Sequence, residues 1–321
     1  MTASARLTQF IGVLWRTDRL LTFTALAMMA ALALFGAGLL IDPRLVGGAP
    51  LWLKPAKFAA SIAIYTLTLT WIFQFLPDWP GLRRRVSRLT AISLIAEIVI
   101  IAFQAARGVT SHFNIGTPLD ATLFALMGVA IVLQTVTTVA VAVALWRQSF
   151  ASPAIGWALR LGLVITIVGA SLGGLMTRPT DAQLASARAT GRMAISGAHT
   201  VGAVDGGRGL PGTGWSVENG DLRVPHFMGL HAVQALPLFA WLLQRRGWRM
   251  ASRVRAVQTI AVSYAFLLSI LVWQALRGQS VIRPDSLTLT ALGVWAVATM
   301  LAVTAASSQR NGVEAALHAR G

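Results

Sequence analysis

The 321-residue chain is 55% apolar and only 12% charged, with more apolar surface than one soluble core could bury. Its formal net charge of +16 would suggest nucleic acid in a soluble domain, but the arginines fall mainly in short loops between apolar runs, which is the positive-inside pattern and argues against a nucleic-acid partner. The absence of Cys excludes disulfides, thiolate metal sites and thiol nucleophiles, so His, carboxylates and backbone remain as metal ligands.

A helix of about 20 apolar residues crosses the ~30 Å hydrocarbon layer. Eight such runs follow one another: Leu20–Ile41, Phe58–Leu76, Leu89–Ala106, Ala121–Trp146, Trp157–Thr177, Phe227–Leu243, Val257–Leu276 and Leu287–Ala306. The first is too long for a signal-peptide core and lacks a cleavage pattern, so it is expected to stay as a signal anchor. With the N-terminus inside, the cytoplasmic segments, including Arg310, Glu314 and Arg320, hold 16 basic residues against three acids, and the outer segments hold 11 against seven. Both termini are therefore expected in the cytoplasm of a bacterial plasma (inner) membrane.

The outer connection from Arg178 to His226 is far longer than the other loops. Thr180 in TDAQLASARA is a helix N-cap followed by good helix formers, so a short surface helix is expected there. The rest, including GGRGLPGTGWSVENGDLR, is turn-rich, but its Trp215, Leu210 and Val224 argue against simple disorder, and the segment is expected to fold as a cap. It follows no strand and opens no βαβ unit, which rules out a nucleotide-binding loop. Its NG and GD steps predict a tight hairpin carrying Asp221 and Arg223 back over His226.

The chain also repeats itself. Gln104-Ala-Ala-Arg107-Gly108 ends the third span and Gln274-Ala-Leu-Arg277-Gly278 the seventh, each followed by Pro, Asp and a similar start to the next helix, PLDATLFALMGV and PDSLTLTALGV. The expectation is an all-α integral membrane protein of eight transmembrane helices in two tandem four-helix units, 1–156 and 157–321, with an extracytoplasmic insertion at 178–226.

Candidate chemistry gathers on the outer side. His318 lies in the polar tail, where solvation is expected, whereas His112, His199, His226 and His231 all fall outside or within about two turns of the outer boundary. Neutral imidazole is a common metal ligand, and a His beneath headgroups needs a partner, so the four form a candidate metal set; structural hydrogen bonding is the alternative for each one. His226 and His231 sit about 140° apart on a helix, so they share a ligand only if His226 precedes the helix, which Pro225 permits. Asp221 and other nearby acids are candidates to complete or orient such a site. Glu97 is the only acid within a span, roughly 15 Å below Arg107, with Gln104 on nearly the same face. It is read either as a proton-handling group or as a protonated carboxyl tying helices together through Gln134 or Tyr65. Lys54 and Lys57, the only lysines, sit in WLKPAKF, placed either to snorkel to headgroups or to meet a phosphate or cofactor carboxylate. Arg107 and Arg277 either hold carboxylates or cap helix C-termini. Ser111-His112 does not suggest a hydrolase triad, because sequence neighbours rarely point at one another.

WLKPAKF, QAARGVTSHFN and GDLRVPHFMGLHAVQ together resemble a family of bacterial multi-spanning membrane proteins, a resemblance that covers most of the chain and implies no particular activity. In architecture the chain is also weakly similar to heme A synthase, whose halves each use paired His for heme. Here the first unit has only His112. What this implies is one heme, bridged for example by His112 and His231, or a compact metal site using His199 or His226.

The sequence-level expectation is thus a membrane protein that binds heme or a transition metal and performs redox or metal-assisted chemistry on a membrane-soluble substrate such as a quinone. His112, His199, His226 and His231 are the candidate metal ligands, and His112, His231, Lys57 and Arg107 the cofactor contacts. Glu97, Gln104, Asp221 and Arg223 are the catalytic or gating groups. The competing expectation is a proton-coupled carrier with a midplane site near Glu97.

Overall fold

The structure is a computed structural model and describes residues 3–308; His318, Arg310, Glu314 and Arg320 lie outside the described residues. It is predominantly helical. Among the described residues seven helices are long and apolar enough to cross a membrane, and up to eight spans result if one bent pair counts as a single crossing. Their outward faces carry large apolar side chains, such as Leu34, Leu40, Val294 and Leu301, each more than 60% exposed. Such faces suit lipid and would be costly in water. The chain is therefore a multi-pass membrane protein.

The chain divides into two compact units. The first comprises Met1–Ala144, Met176–Ala198 and Val204–Gly214, so much of the long connection belongs with it. It opens with a helix not anticipated from sequence, α1 (Ala3–Thr17), followed by α2 (Arg19–Ile41), α3 (Leu53–Phe73), α4 (Pro80–Ala106) and α5 (Pro118–Arg147), the last running on just past the unit boundary. Asp18 caps α2 by accepting from Leu21 N at 2.9 Å, and Ser87 of α4 donates to the same oxygen at 2.9 Å. Small residues on α3, Ala56, Ala59 and Ala63, let Met28, Phe35, Leu94 and Ile98 pack closely around it. Between α2 and α3 a tight ribbon pairs β1 (Leu45–Val46) with β2 (Ala49–Pro50). Asp42 accepts from both Arg44 and Trp52 Nε1, and the Arg44 guanidinium holds its carboxyl well below the usual carboxylate range.

The expected cap helix is present as α7 (Asp181–Thr190). Thr180 Oγ1 accepts from Gln183 N at 3.3 Å while the Gln183 side chain accepts from Thr180 N at 3.0 Å, a complete capping box. Gln183 also clasps Gly197, donating to its carbonyl and accepting from its N–H.

The second unit comprises Leu145–Leu175, His199–Ala203 and Trp215–Gly321. It holds most of α6 (Pro153–Met176), then α8 (Arg223–Leu230), α9 (Ala232–Arg245), α10 (Met250–Leu276) and α11 (Ser286–Ser308). Its core gathers Ala154 and Ala158 of α6, Ala232, Leu236 and Ala240 of α9, and Val257, Ala261 and Leu268 of α10. The run expected as one span, Phe227–Leu243, is instead the pair α8–α9, bent by 47° at His231. At the break Gly229 of α8 crosses Gly169 of α6 so closely that a Cβ on either would lie 2.4–2.5 Å from the other's Cα. Side chains take up the freed carbonyls: Tyr264 Oη donates to Met228 O at 2.6 Å and Thr166 Oγ1 to Leu230 O at 3.3 Å.

The hairpin expected from the NG and GD steps takes another form. β4 (Gly220–Asp221) pairs antiparallel with β3 (Thr200–Val201), about twenty residues upstream, and Gly220 also lies hard against Ala275 O, where no side chain fits.

Candidate functional site

The first unit concentrates its unusual features around Glu97. Three turns from the end of α4, its side chain is buried, with the residue only 1% exposed, and neither carboxyl oxygen has a hydrogen-bond partner. An acid so placed costs several kcal/mol if charged and alone, on the order of the desolvation penalty for one ion. Its nearest partner is His112, whose Nε2 stands 3.5 Å from Oε1. Gln134 and Tyr65, the partners expected from sequence, bond each other instead: Gln134 Nε2 donates to Tyr65 Oη at 2.7 Å, and Tyr65 Oη lies 3.1 Å from Thr138 Oγ1.

His112 reaches back to Glu97 because of what happens after α4. Gly108 takes a left-handed φ of 74° and ends the helix, and the loop then folds down rather than outward. Phe113, next to His112, has φ of 66°, the only non-Gly residue with positive φ among the described residues. A bulky side chain there costs about 1–2 kcal/mol, and the surroundings enforce it. Phe113 O accepts from Ser196 N at 2.8 Å, Ile115 N donates to Ala194 O at 2.9 Å, and Gly197 leaves room for the Phe113 ring. The part of the long connection that belongs to this unit therefore pins the His112 turn. Around the imidazole stand the rings of Phe58, Phe113 and Phe124, at centroid distances of 5.8, 6.2 and 6.3 Å. The Lys54 ammonium lies 5.9 Å from the Phe58 centroid.

Ser111 completes the chain of groups. Its Oγ lies 3.2 Å from His112 Nδ1, so these two neighbours do meet, contrary to the sequence expectation. With Ser111 donating to Nδ1, the imidazole proton sits on Nε2 and faces Glu97. The result is a polar series, Ser111, His112, Glu97, set inside an aromatic wall. Sequence reading singled out Glu97 and His112 but gave no sign of Phe113, whose backbone conformation is invisible in composition.

Gln104, expected to share a proton path with Glu97, is held elsewhere. Its Nε2 donates to Asp120 Oδ1 at 2.8 Å, its Oε1 accepts from Arg107, and Arg107 also pairs with Asp120 at 2.7 Å. Arg107 thus holds a carboxylate rather than capping carbonyls. The second unit repeats the device: Arg277 pairs with Asp285 and reaches Thr288 Oγ1, and the Arg277 hydrogen bond holds the Asp285 carboxyl well below its usual range. Lys57 donates to Thr213 O at 2.7 Å, tying α3 to the glycine-rich stretch.

The remaining candidates belong to the second unit. Asp221 is buried and accepts from four donor atoms, Ser216 N and the backbone N, Nε and Nη2 of Arg223. Saturated in this way, the pair orders the loop. His226 Nδ1 lies 2.7 Å from Gly169 O, which fixes the tautomer and leaves Nε2 as an acceptor. His199 O accepts from Leu222 N at 3.0 Å. His231 is exposed at the α8–α9 break. Among the described residues, no three His, Asp or Glu side chains gather closely enough to hold a metal ion.

These features define the class: a multi-pass helical membrane protein whose first unit carries a buried acid facing an imidazole. No family model, curated protein or solved structure matches the chain.

Proposed function

We propose that the chain is a proton-coupled carrier of the bacterial plasma membrane, with Glu97 and His112 as its proton-binding pair and a membrane-soluble small molecule such as a quinone as its cargo. In this reading it has eight spans in two tandem four-helix units, both termini face the cytoplasm, and the long connection caps the outer side. The observation that carries it is the buried Glu97 carboxyl, with no hydrogen bond to either oxygen and an imidazole 3.5 Å away. A static helix tie would be hydrogen-bonded, as Gln134 and Tyr65 are. An underused acid beside a second titratable group can instead change its proton number when its surroundings change. Ser111 Oγ, 3.2 Å from His112 Nδ1, supplies the next group of the series.

The test needs no knowledge of the cargo. In pH-difference infrared spectra of the reconstituted protein, a protonated-carboxyl band is expected that changes between about pH 5 and 9, the range where a buried acid or His titrates. It should vanish in Glu97→Gln and move its midpoint in His112→Gln. A wild-type carboxyl band that stays constant across that range would make Glu97 a fixed strut and end this reading.

Heme-dependent redox chemistry in the second unit is the second reading, favoured by His226, whose Nδ1 is engaged by a carbonyl and whose Nε2 is left as a potential ligand. His226 and His199 offer at most two donors, a set suited to heme iron rather than to a four-coordinate metal ion. Colourless purified protein without a Soret band removes it.

A further inference from the structure

The end of the first unit where α1 meets α2 carries an arrangement that the proton site does not use. Arg83 Nη2 donates to Thr17 O at 2.9 Å, and Ser87 Oγ donates to Asp18 Oδ1 at 2.9 Å. These two bonds hold the first turns of α4 against the α1–α2 junction. Arg16 and Arg19 flank the junction, Arg84, Arg85 and Arg88 flank the bonded pair on α4, and all five are exposed. Asp18, at the junction, accepts from Leu21 N and Ser87 Oγ through Oδ1, one carboxylate against five guanidinium groups. Beside this cluster α1 buries Leu14 while exposing Phe10 at 48% and Trp15 at 39%. The two rings lie about 140° apart, one on each flank of the buried Leu14, where a helix seated on the protein in the headgroup layer can reach acyl chains on either side.

We infer that this junction is a binding site for a phospholipid whose headgroup carries two phosphates, with the guanidinium groups taking the phosphates and the α1 face meeting the acyl chains. General positive-inside attraction requires only charge, and lysine would supply it equally well. Here every basic group at the site is Arg, which grips phosphate oxygens in a planar, two-point geometry that an ammonium cannot reproduce. The five groups also come from three helices fixed to one another by hydrogen bonds, so the cluster is preorganised rather than scattered along one loop.

The experiment follows lipid retention by native mass spectrometry, with protein extracted from nanodiscs of equal parts phosphatidylcholine and cardiolipin. Wild type is expected to keep cardiolipin over phosphatidylcholine by about tenfold or more, given roughly 1 kcal/mol per basic group near anionic lipid. The informative variant is Arg84→Lys/Arg85→Lys/Arg88→Lys, which preserves charge and topology; it should lose most of that preference. Arg16→Gln/Arg19→Gln, on the other side of the site, should lose it as well while keeping the wild-type Tm in detergent. A lysine variant as selective as wild type, or equal retention of both lipids by wild type, would reduce the cluster to ordinary surface attraction and overturn the site. Displacement of the lipid by millimolar inorganic phosphate would overturn it too, since free phosphate would then be the ligand.

Discussion

Phe113 shows at a single residue how a fold can be made to hold a reactive group. The left-handed turn at φ 66° directs His112 toward Glu97, and nothing in a phenylalanine side chain favours that backbone. The conformation is imposed by the Ser196 and Ala194 hydrogen bonds and by the room beside Gly197. Strain of this kind persists only where its surroundings hold it, and here it lies beside a buried acid. Its size can be measured by comparing two truncations. Phe113→Ala and Phe113→Gly both lose the ring, and ordinarily Ala is the more stable of such a pair. Here Gly should be the more stable by about 1 kcal/mol, because only Ala keeps the Cβ penalty of the left-handed region. Detergent unfolding of both variants checks this, and Ala more stable than Gly would mean that the turn is unstrained.

At the scale of elements, some features were legible from sequence because they depend on neighbours along the chain. The Thr180 to Gln183 spacing announced α7, and long uncharged runs announced the spans. What was hidden depends on distant partners. A window centred on Phe227–Leu243 reads as one apolar helix, yet the bend at His231 follows from the Gly169–Gly229 crossing, and Gly169 lies in another helix. Likewise the NG step suggested a local hairpin, while β4 pairs with β3 about twenty residues upstream and Gly220 packs against Ala275 of a distant helix. The crossing can be tested directly. A methyl in Gly169→Ala would sit 2.5 Å from the Gly229 Cα, so α6 and α8 must separate, at a cost of about 1–3 kcal/mol for an overpacked contact. The same shift would lengthen the 2.7 Å His226 contact with the Gly169 carbonyl. Gly174→Ala, in the same helix with open space around its Cβ, should be neutral or stabilising by up to ~1 kcal/mol through helix propensity. A Gly169→Ala variant as neutral or stabilised as Gly174→Ala would show that helix propensity, and not close packing, governs α6.

For the whole molecule, the echo of Gln-x-x-Arg-Gly was the most informative pattern in the sequence, because each copy closes its turn in the same way. Arg107 takes Asp120 and Arg277 takes Asp285, and both turns leave their helix through a glycine with φ near 70°, at 74° for Gly108 and 72° for Gly278. The pattern told which residues were fasteners only once the pairs were seen, since an Arg followed by Gly serves equally well as a helix cap. Charge balance makes a second whole-chain statement, an expectation about orientation: it predicts the loop after α5 on the cytoplasmic side and α7 on the outer side. Because the chain has no Cys, single cysteines report on this without background. Ser186→Cys on α7 and Ser149→Cys between α5 and α6 are both at exposed positions. In intact cells a membrane-impermeant maleimide should label Ser186→Cys fully and Ser149→Cys only after the membrane is opened. Labelling in the reverse order would invert the protein and place Ser111 on the cytoplasmic side. Protons would then reach Glu97 from within the cell, and the driving force for any coupled transport would change sign.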